Sequence, residues 1–165
     1  MRVFIFFILM SVCLFSCRND TKQVSNEDVS DSAAAEDVKT SKSLPYKLEY
    51  DENANQMTLV EIKNDARKLS AGEVAGLLNA RYQAVKLDLL KSSGDTIFLQ
   101  IKNATKLTRE MGSAGAQAYL AEVTFSFTEL EGIKVVDLLF EEGDHAMPGS
   151  YKREDFSEFK VVEQK

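Results

Sequence analysis

The sequence predicts an α+β fold: a two-layer α/β sandwich with two helices packed on one mixed sheet, in the order β-β-α-β-β-α-β. Three observations predict it. Between Gly112 and Glu142, apolar residues at helical spacing give way, across Gly132, to a near-continuous apolar strand. Upstream, apolar alternation on both sides of Ser92-Ser93-Gly94-Asp95 marks a hairpin. Before that, a pair of strand-like runs precedes a helical stretch opened by Ser70 and Glu73.

Taken in order, Tyr46, Leu48 and Tyr50 alternate with Lys47 and Glu49, which predicts a half-buried strand. An Asn/Asp-rich turn at Asp51 to Asn55 leads to a second strand, Met57 to Ile62, paired back on the first. Polar linkage follows from Asn64 to Lys68. Ser70-Ala71-Gly72-Glu73 is a capping box, and Val74, Leu77, Leu78, Arg81, Tyr82 and Val85 continue at helical spacing. Val85, Leu87 and Leu89 enter the Gly94 hairpin, and Ile97, Leu99 and Ile101 leave it. Asn103 to Met111 is a polar connector. The second helix is amphipathic, with Ser113 as N-cap and an apolar stripe at Ala116, Leu120, Val123, Phe127 and Leu130. Gly132 stops it, because a residue without Cβ takes the left-handed conformation cheaply. The strand from Ile133 to Phe140 is apolar on both faces apart from Lys134 and Asp137, and so calls for cover on both sides. Gly143 to Gly149 is a loop. Phe156, Phe159, Val161 and Val162 suggest a short C-terminal strand or packed tail.

The chain has 165 residues, one-domain length once the ends are set aside. Its net charge of −6 argues against nucleic acid, whose phosphates need clustered Lys and Arg. It argues equally against an electrostatic grip on anionic lipid headgroups. The two cysteines, Cys13 and Cys17, are both N-terminal, so the folded part holds no thiol, disulfide or Cys-metal site.

Met1 to Cys17 reads MRVFIFFILMSVCLFSC, with Arg2 as the positive start and an apolar run from Val3 to Leu14. That run is too short to span a bilayer and suits a secretory signal. A plain signal peptide or an uncleaved anchor is compatible with this composition. Leu14-Phe15-Ser16-Cys17, however, resembles the bacterial lipobox, and a polar run follows at once. The resemblance implies cleavage between Ser16 and Cys17, diacylglycerol (palmitate-type acyl chains) on the Cys17 sulfur, and acylation of the new amino group. Each buried methylene adds about 0.8 kcal/mol, so two or three chains anchor stably. In proteobacterial lipoproteins an Asp after the Cys tends to retain the protein in the inner membrane. Arg18 stands there, which fits the outer membrane, facing periplasm or cell surface. Residues 17–43 then lack aromatics and are rich in Ser, Asp, Glu and Lys, the composition of a disordered tether. Its mean reach is about 25 to 30 Å. The expected division is thus a signal peptide at 1–16, lipidated Cys17 and tether at 17–43, and a folded domain at 44–165 with its core at 70–145.

The order from Val85 to Glu142 resembles the GerMN ("sporulation and spore germination") domain of bacterial envelope lipoproteins. The matching pieces are the hairpin LDLLKSSGDTIFLQIKNATKL, Gly112-Ser113 opening an Ala-rich helix, and the Leu130-Glu131-Gly132-Ile133 corner leading to a Val-rich strand and the Glu142-Gly143 turn. Family members often carry Pro where Glu131 stands. LSAGEVAGLLNA suits the family's first helix. The resemblance covers about two-thirds of the chain and contains no catalytic signature. It implies a small fold similar to ring-building modules of secretion and sporulation machines, acting by protein–protein interaction outside the cytoplasmic membrane.

GxSxG, P-loop, GxGxxG, HExxH and EF-hand patterns are absent from the sequence, and no cofactor is called for. Gly112-Ser113-Ala114-Gly115 is read as a plain helix start. His145, the single histidine, follows Glu141, Glu142 and Asp144. One imidazole without an ordered ligand set does not make a metal site. Phe125, Phe127 and Phe140 suit the core, unless some line an open sheet face. Three readings follow. The first is a non-enzymatic, lipid-anchored adaptor that docks an envelope protein or self-associates, which requires an exposed apolar patch or free strand edge. The second is a binding module for a small envelope ligand, such as a glycan or peptidoglycan fragment, using His145, Tyr119 or Tyr151. The third, an enzyme, requires a cleft with convergent titratable groups, and the sequence names none.

Overall fold

Seven strands and two α-helices follow one another as β1 (Tyr46–Asp51), β2 (Gln56–Glu61), α1 (Ala71–Arg81), β3 (Asp88–Ser93), β4 (Thr96–Gln100), α2 (Gly112–Thr128), β5 (Val135–Leu139), β6 (Gly149–Tyr151) and β7 (Lys160–Glu163). A π-helical turn at Lys106–Glu110 precedes α2, and a 3-10 turn at Arg153–Phe156 lies between β6 and β7. The computed structural model describes residues 42–52, 54–63 and 68–164. The signal segment, Ser16, Cys17, the tether as far as residue 41 and the linkage at 64–67 lie outside them.

The α+β sandwich is present, but its strands form two sheets in place of the expected one. One sheet has the order β1-β2-β7 and the other β3-β4-β5-β6, and both are mixed. The C-terminal segment completes the smaller sheet: Lys160 to Glu163 runs parallel to β2, with Leu59 opposite Val161 and Val60 opposite Val162. In the larger sheet, β4 and β5 are parallel with α2 as their crossover, and β3 and β6 flank them antiparallel. The expected hairpin closes through Gly94 and Asp95, with Ser93 opposite Thr96. A bulge at Leu90 interrupts its far end, where the register passes from Leu89–Leu99 to Lys91–Phe98.

Helix α1 begins as its sequence dictates. The Ser70 side chain accepts from the Glu73 N–H at 3.3 Å, and the Glu73 carboxylate accepts from the Ser70 N–H at 2.8 Å. Lys42 also donates to that carboxylate, and these bonds hold it down to a pKa of about 2. The helix ends at Arg81, earlier than the apolar spacing suggests, and Val85 closes a turn onto Tyr82.

Helix α2 departs from expectation in two ways. Ser113 is not its N-cap, because the chain arrives already helical from the π-turn and enters α2 at Gly112. Nor is α2 amphipathic: every residue from Ala118 to Phe127 is buried. It touches β1, β5, α1, the π-turn and the 3-10 turn, so cover comes from all sides. The small side chains of Ala118, Ala121, Thr124 and Ser126 let those neighbours approach closely. Past its end, Gly132 at φ +81° makes the corner that Ile133 closes onto the Leu130 carbonyl at 3.1 Å. Strand β5, expected to be covered twice, is covered once. Val136 and Leu138 face the core, while Leu139 remains 53% exposed.

One core serves both sheets, joining Leu59, Val74, Leu78, Leu99, Phe127 and Leu138 among others. A tight contact pins the loop after β5 to the π-turn. A Cβ on Gly143 would lie 2.8 Å from Thr108 Cβ and 3.0 Å from its carbonyl oxygen. The His145 N–H also donates to that carbonyl at 3.1 Å. Gly143→Ala should therefore lower stability by about 1–3 kcal/mol, read as a lower urea midpoint at unchanged slope. Gly76→Ala, in the open side of α1, should instead gain roughly 0.5–1 kcal/mol. Equal effects at the two positions would refute the packing argument.

Candidate interaction surface

Residues that alternate with the core positions of the larger sheet form its outer face. One cross-strand row contains Lys91 of β3, Phe98 of β4, Asp137 of β5 and Ser150 of β6. Phe98 is half-buried and central. The Lys91 ammonium sits 4.8 Å from its ring centroid, close enough for cation–π attraction. Ser150 donates to Asp137 at 2.7 Å. Thr96 and Val135 make the neighbouring row on one side, and Gln100 and Leu139 the row on the other. Beside the latter, Asp88 pairs with Lys102 at 2.9 Å. Strands β3 and β6 are the free edges of this sheet. Leu89 and Leu90 on β3 are 40% and 51% exposed. The outer face thus combines half-buried Phe98, exposed Leu139 and two edge strands that have no further strand partner among the described residues.

The residues proposed from sequence as contacts are scattered. Tyr119 is 1% exposed, in the enclosed part of α2, with its ring edge-on to Tyr82 at 4.9 Å. It has no route to an outside ligand, because α2 is not the surface helix its spacing implied. Burial, assisted by the Glu122 charge, pushes its hydroxyl pKa up. Tyr151 is half-buried on β6; it donates to the Met147 carbonyl and stacks on Phe156 at 5.8 Å. His145 is part-exposed, with Nδ1 at 3.1 Å from the hydroxyl of Ser113. The three have different neighbours and do not converge. Ser16 and Cys17 lie outside the described residues. Phe125, Phe127 and Phe140 are all core.

Two polar arrangements were not foreseen. Glu122 has no exposed surface, yet accepts from Arg81 at the end of α1 and from the Tyr82 hydroxyl. Arg81 reaches on to the Tyr46 carbonyl at 3.3 Å. Arg153, on the 3-10 turn, places Nη2 2.7 Å from Glu129 and Nε 2.7 Å from the Thr128 hydroxyl. Its guanidinium lies 5.0 Å from the Phe125 ring centroid and 5.5 Å from that of Tyr46. Sequence signals existed for both. Arg81 occupies an apolar-stripe position in α1, and Glu122 is the only charge between Ala114 and Thr128.

Three surface grooves, of about 410, 540 and 620 Å³, are lined without an aromatic ring. Among the described residues no group of three His, Cys, Asp or Glu side chains could hold a metal ion. No helix among them is long and apolar enough to cross a membrane. Comparison of the chain with family models, with curated proteins and with solved structures gives no match.

Proposed function

We propose that this is a non-enzymatic lipoprotein of the bacterial envelope, held by acyl chains on Cys17, whose GerMN-like domain at 44–165 binds protein. The observation that carries the reading is the outer face of β3-β4-β5-β6, with half-buried Phe98 at its centre, exposed Leu139 beside it and a free edge on each side. Anchoring is supported by Leu14-Phe15-Ser16-Cys17 and the polar run behind it. Arg18 favours the outer membrane. The small-ligand reading has less support, since Tyr119, Tyr151 and His145 do not converge and the grooves lack an aromatic platform for a sugar ring.

The test is chemical cross-linking in intact cells followed by purification of wild type, Cys17→Ala and Phe98→Glu, with intact masses measured. Wild type should carry acyl mass and a cross-linked protein. Cys17→Ala should lose the acyl mass, and Phe98→Glu should keep it but lose the cross-link. An unmodified wild type would end the anchoring proposal. A cross-linking pattern that ignores Phe98→Glu would remove this face as the docking surface.

A further inference from the structure

Two charges on the outer face form no ion pair among the described residues. Lys91 and Asp137 stand in one row with Phe98 between them. Neighbouring strands are about 4.8 Å apart, so β3 and β5 are separated by roughly 9.6 Å. Lys91 rests on the Phe98 ring, and Asp137 takes one hydrogen bond from Ser150. Asp88, on the same face, is already neutralised by Lys102. The row therefore reads positive, aromatic, negative, with the aromatic ring in the middle.

That order is self-complementary under a half-turn. We propose that the partner of this face is a second copy of the chain, packed face to face about a two-fold axis that runs along β4 at Phe98. The inference rests on the protein-binding reading and names its partner. Rotation about that axis lays Phe98 on its own equivalent. It also brings Lys91 opposite Asp137 of the partner subunit, and Asp137 opposite Lys91 of the partner subunit. Both contacts are satisfied at once because the interface is isologous. Strand directions remain aligned, as in sandwich packing, where sheets lie about 10 Å apart and long side chains span the gap. Leu139, 53% exposed beside Asp137, falls within the covered area. A rotation that instead crossed the strands at right angles would leave both charges facing neutral rows.

The experiment is a charge exchange in the full chain, purified in detergent micelles, with protein mass taken from sedimentation after subtraction of bound detergent. Wild type should be a dimer. Lys91→Glu and Asp137→Lys should each raise the dissociation constant about tenfold or more, because like charges then meet across the axis. The double variant, Lys91→Glu with Asp137→Lys, should return close to wild type. Phe98→Asp should be monomeric. Circular dichroism and melting of each variant show that it has folded, and all three positions are outside the core.

A wild type that stays monomeric at about 100 μM, where even a weak specific dimer associates, would overturn the proposal. So would a dimer indifferent to these substitutions, or one that the double variant fails to restore. A photo-crosslinker at position 98 in cells separates this failure from that of the underlying reading. Capture of a different protein by a monomeric chain removes the second copy but leaves protein binding in place. Capture of nothing removes both.

Discussion

Arg81→Met should destabilise the domain by about 3–5 kcal/mol at neutral pH, the cost of leaving a buried charge without its partner. Glu122 has no exposed surface, and Arg81 and Tyr82 are its hydrogen-bond donors. Removing the guanidinium leaves the carboxylate with Tyr82 alone, in a site whose remaining walls are largely apolar. Arg81→Met with Glu122→Leu should recover most of the loss, since both charges are then gone and the volumes are kept. A double variant as unstable as the single would show that Arg81 matters through its packing alone.

The same pair gives a pH signature. Burial pushes the Glu122 carboxyl above its ordinary value of 4.5, and the Tyr82 hydrogen bond and the Arg81 charge pull it only part of the way back. The folded chain thus holds this proton more tightly than the unfolded chain does. The stability it contributes is complete below about pH 4.5 and is lost as pH rises through the folded value. Glu73 acts in the opposite sense. Its pKa is held near 2, so its contribution is present above its ordinary 4.5 and is lost as pH falls toward 2. Melting curves of Glu122→Gln should therefore lack the decline that wild type shows above pH 4.5, and keep the acid-side decline. Parallel curves for the two proteins would contradict the assignment.

Arg153→Ala should cost about 3 kcal/mol, combining charge-assisted hydrogen bonds with two ring faces. Its side chain, 35% exposed, bonds Glu129, the Thr128 hydroxyl and the Phe125 carbonyl, and lies over Tyr46 and Phe125. Tyr46 belongs to the smaller sheet, Phe125 to α2, and Arg153 to the connection between the two sheets. Arg153→Lys should recover less than half of the loss, because an ammonium cannot reproduce the planar fork. Hydrogen exchange should show β7 amides opening first in Arg153→Ala. Full rescue by lysine would reduce the residue to a simple charge.

How far these features were legible differs by element. The capping box at Ser70 and the Gly94 hairpin could be read directly, because their partners lie within three or four residues. So could the Gly132 corner, where the demand on φ is local. The enclosure of α2 could not be read from its spacing. Ala118, Thr124 and Ser126 are small rather than strongly apolar, and what buries them is a set of neighbours distant in the chain. The same holds for the split into two sheets, since nothing in Lys160-Val161-Val162-Glu163 states that its partner is β2. Phe98 was half-visible: reading Ile97, Leu99 and Ile101 inward already sent Phe98 outward. Its partners Lys91 and Asp137 came only with the register, which the Leu90 bulge shifts by one residue. Tyr119 reads as a contact only on an amphipathic α2, and the enclosure of that helix takes it out of reach.

The parallel pairing of β2 with β7 has a temporal meaning. Strands β1 and β2 are made early, whereas Lys160 to Glu163 emerges at the very end of the described chain, and Gln164 adds a last bond to the Glu61 carbonyl at 2.9 Å. The smaller sheet cannot be completed until β7, far downstream of β2 in the sequence, is available, and such long-range closure is slow. A copy that stops short of Lys160 leaves β2 with a bare edge beside Leu59 and Val60, open to proteases and to mispairing. Pairing of the four-residue β7 thus reports that synthesis has passed Glu163, because a product ending earlier leaves the β2 backbone exposed.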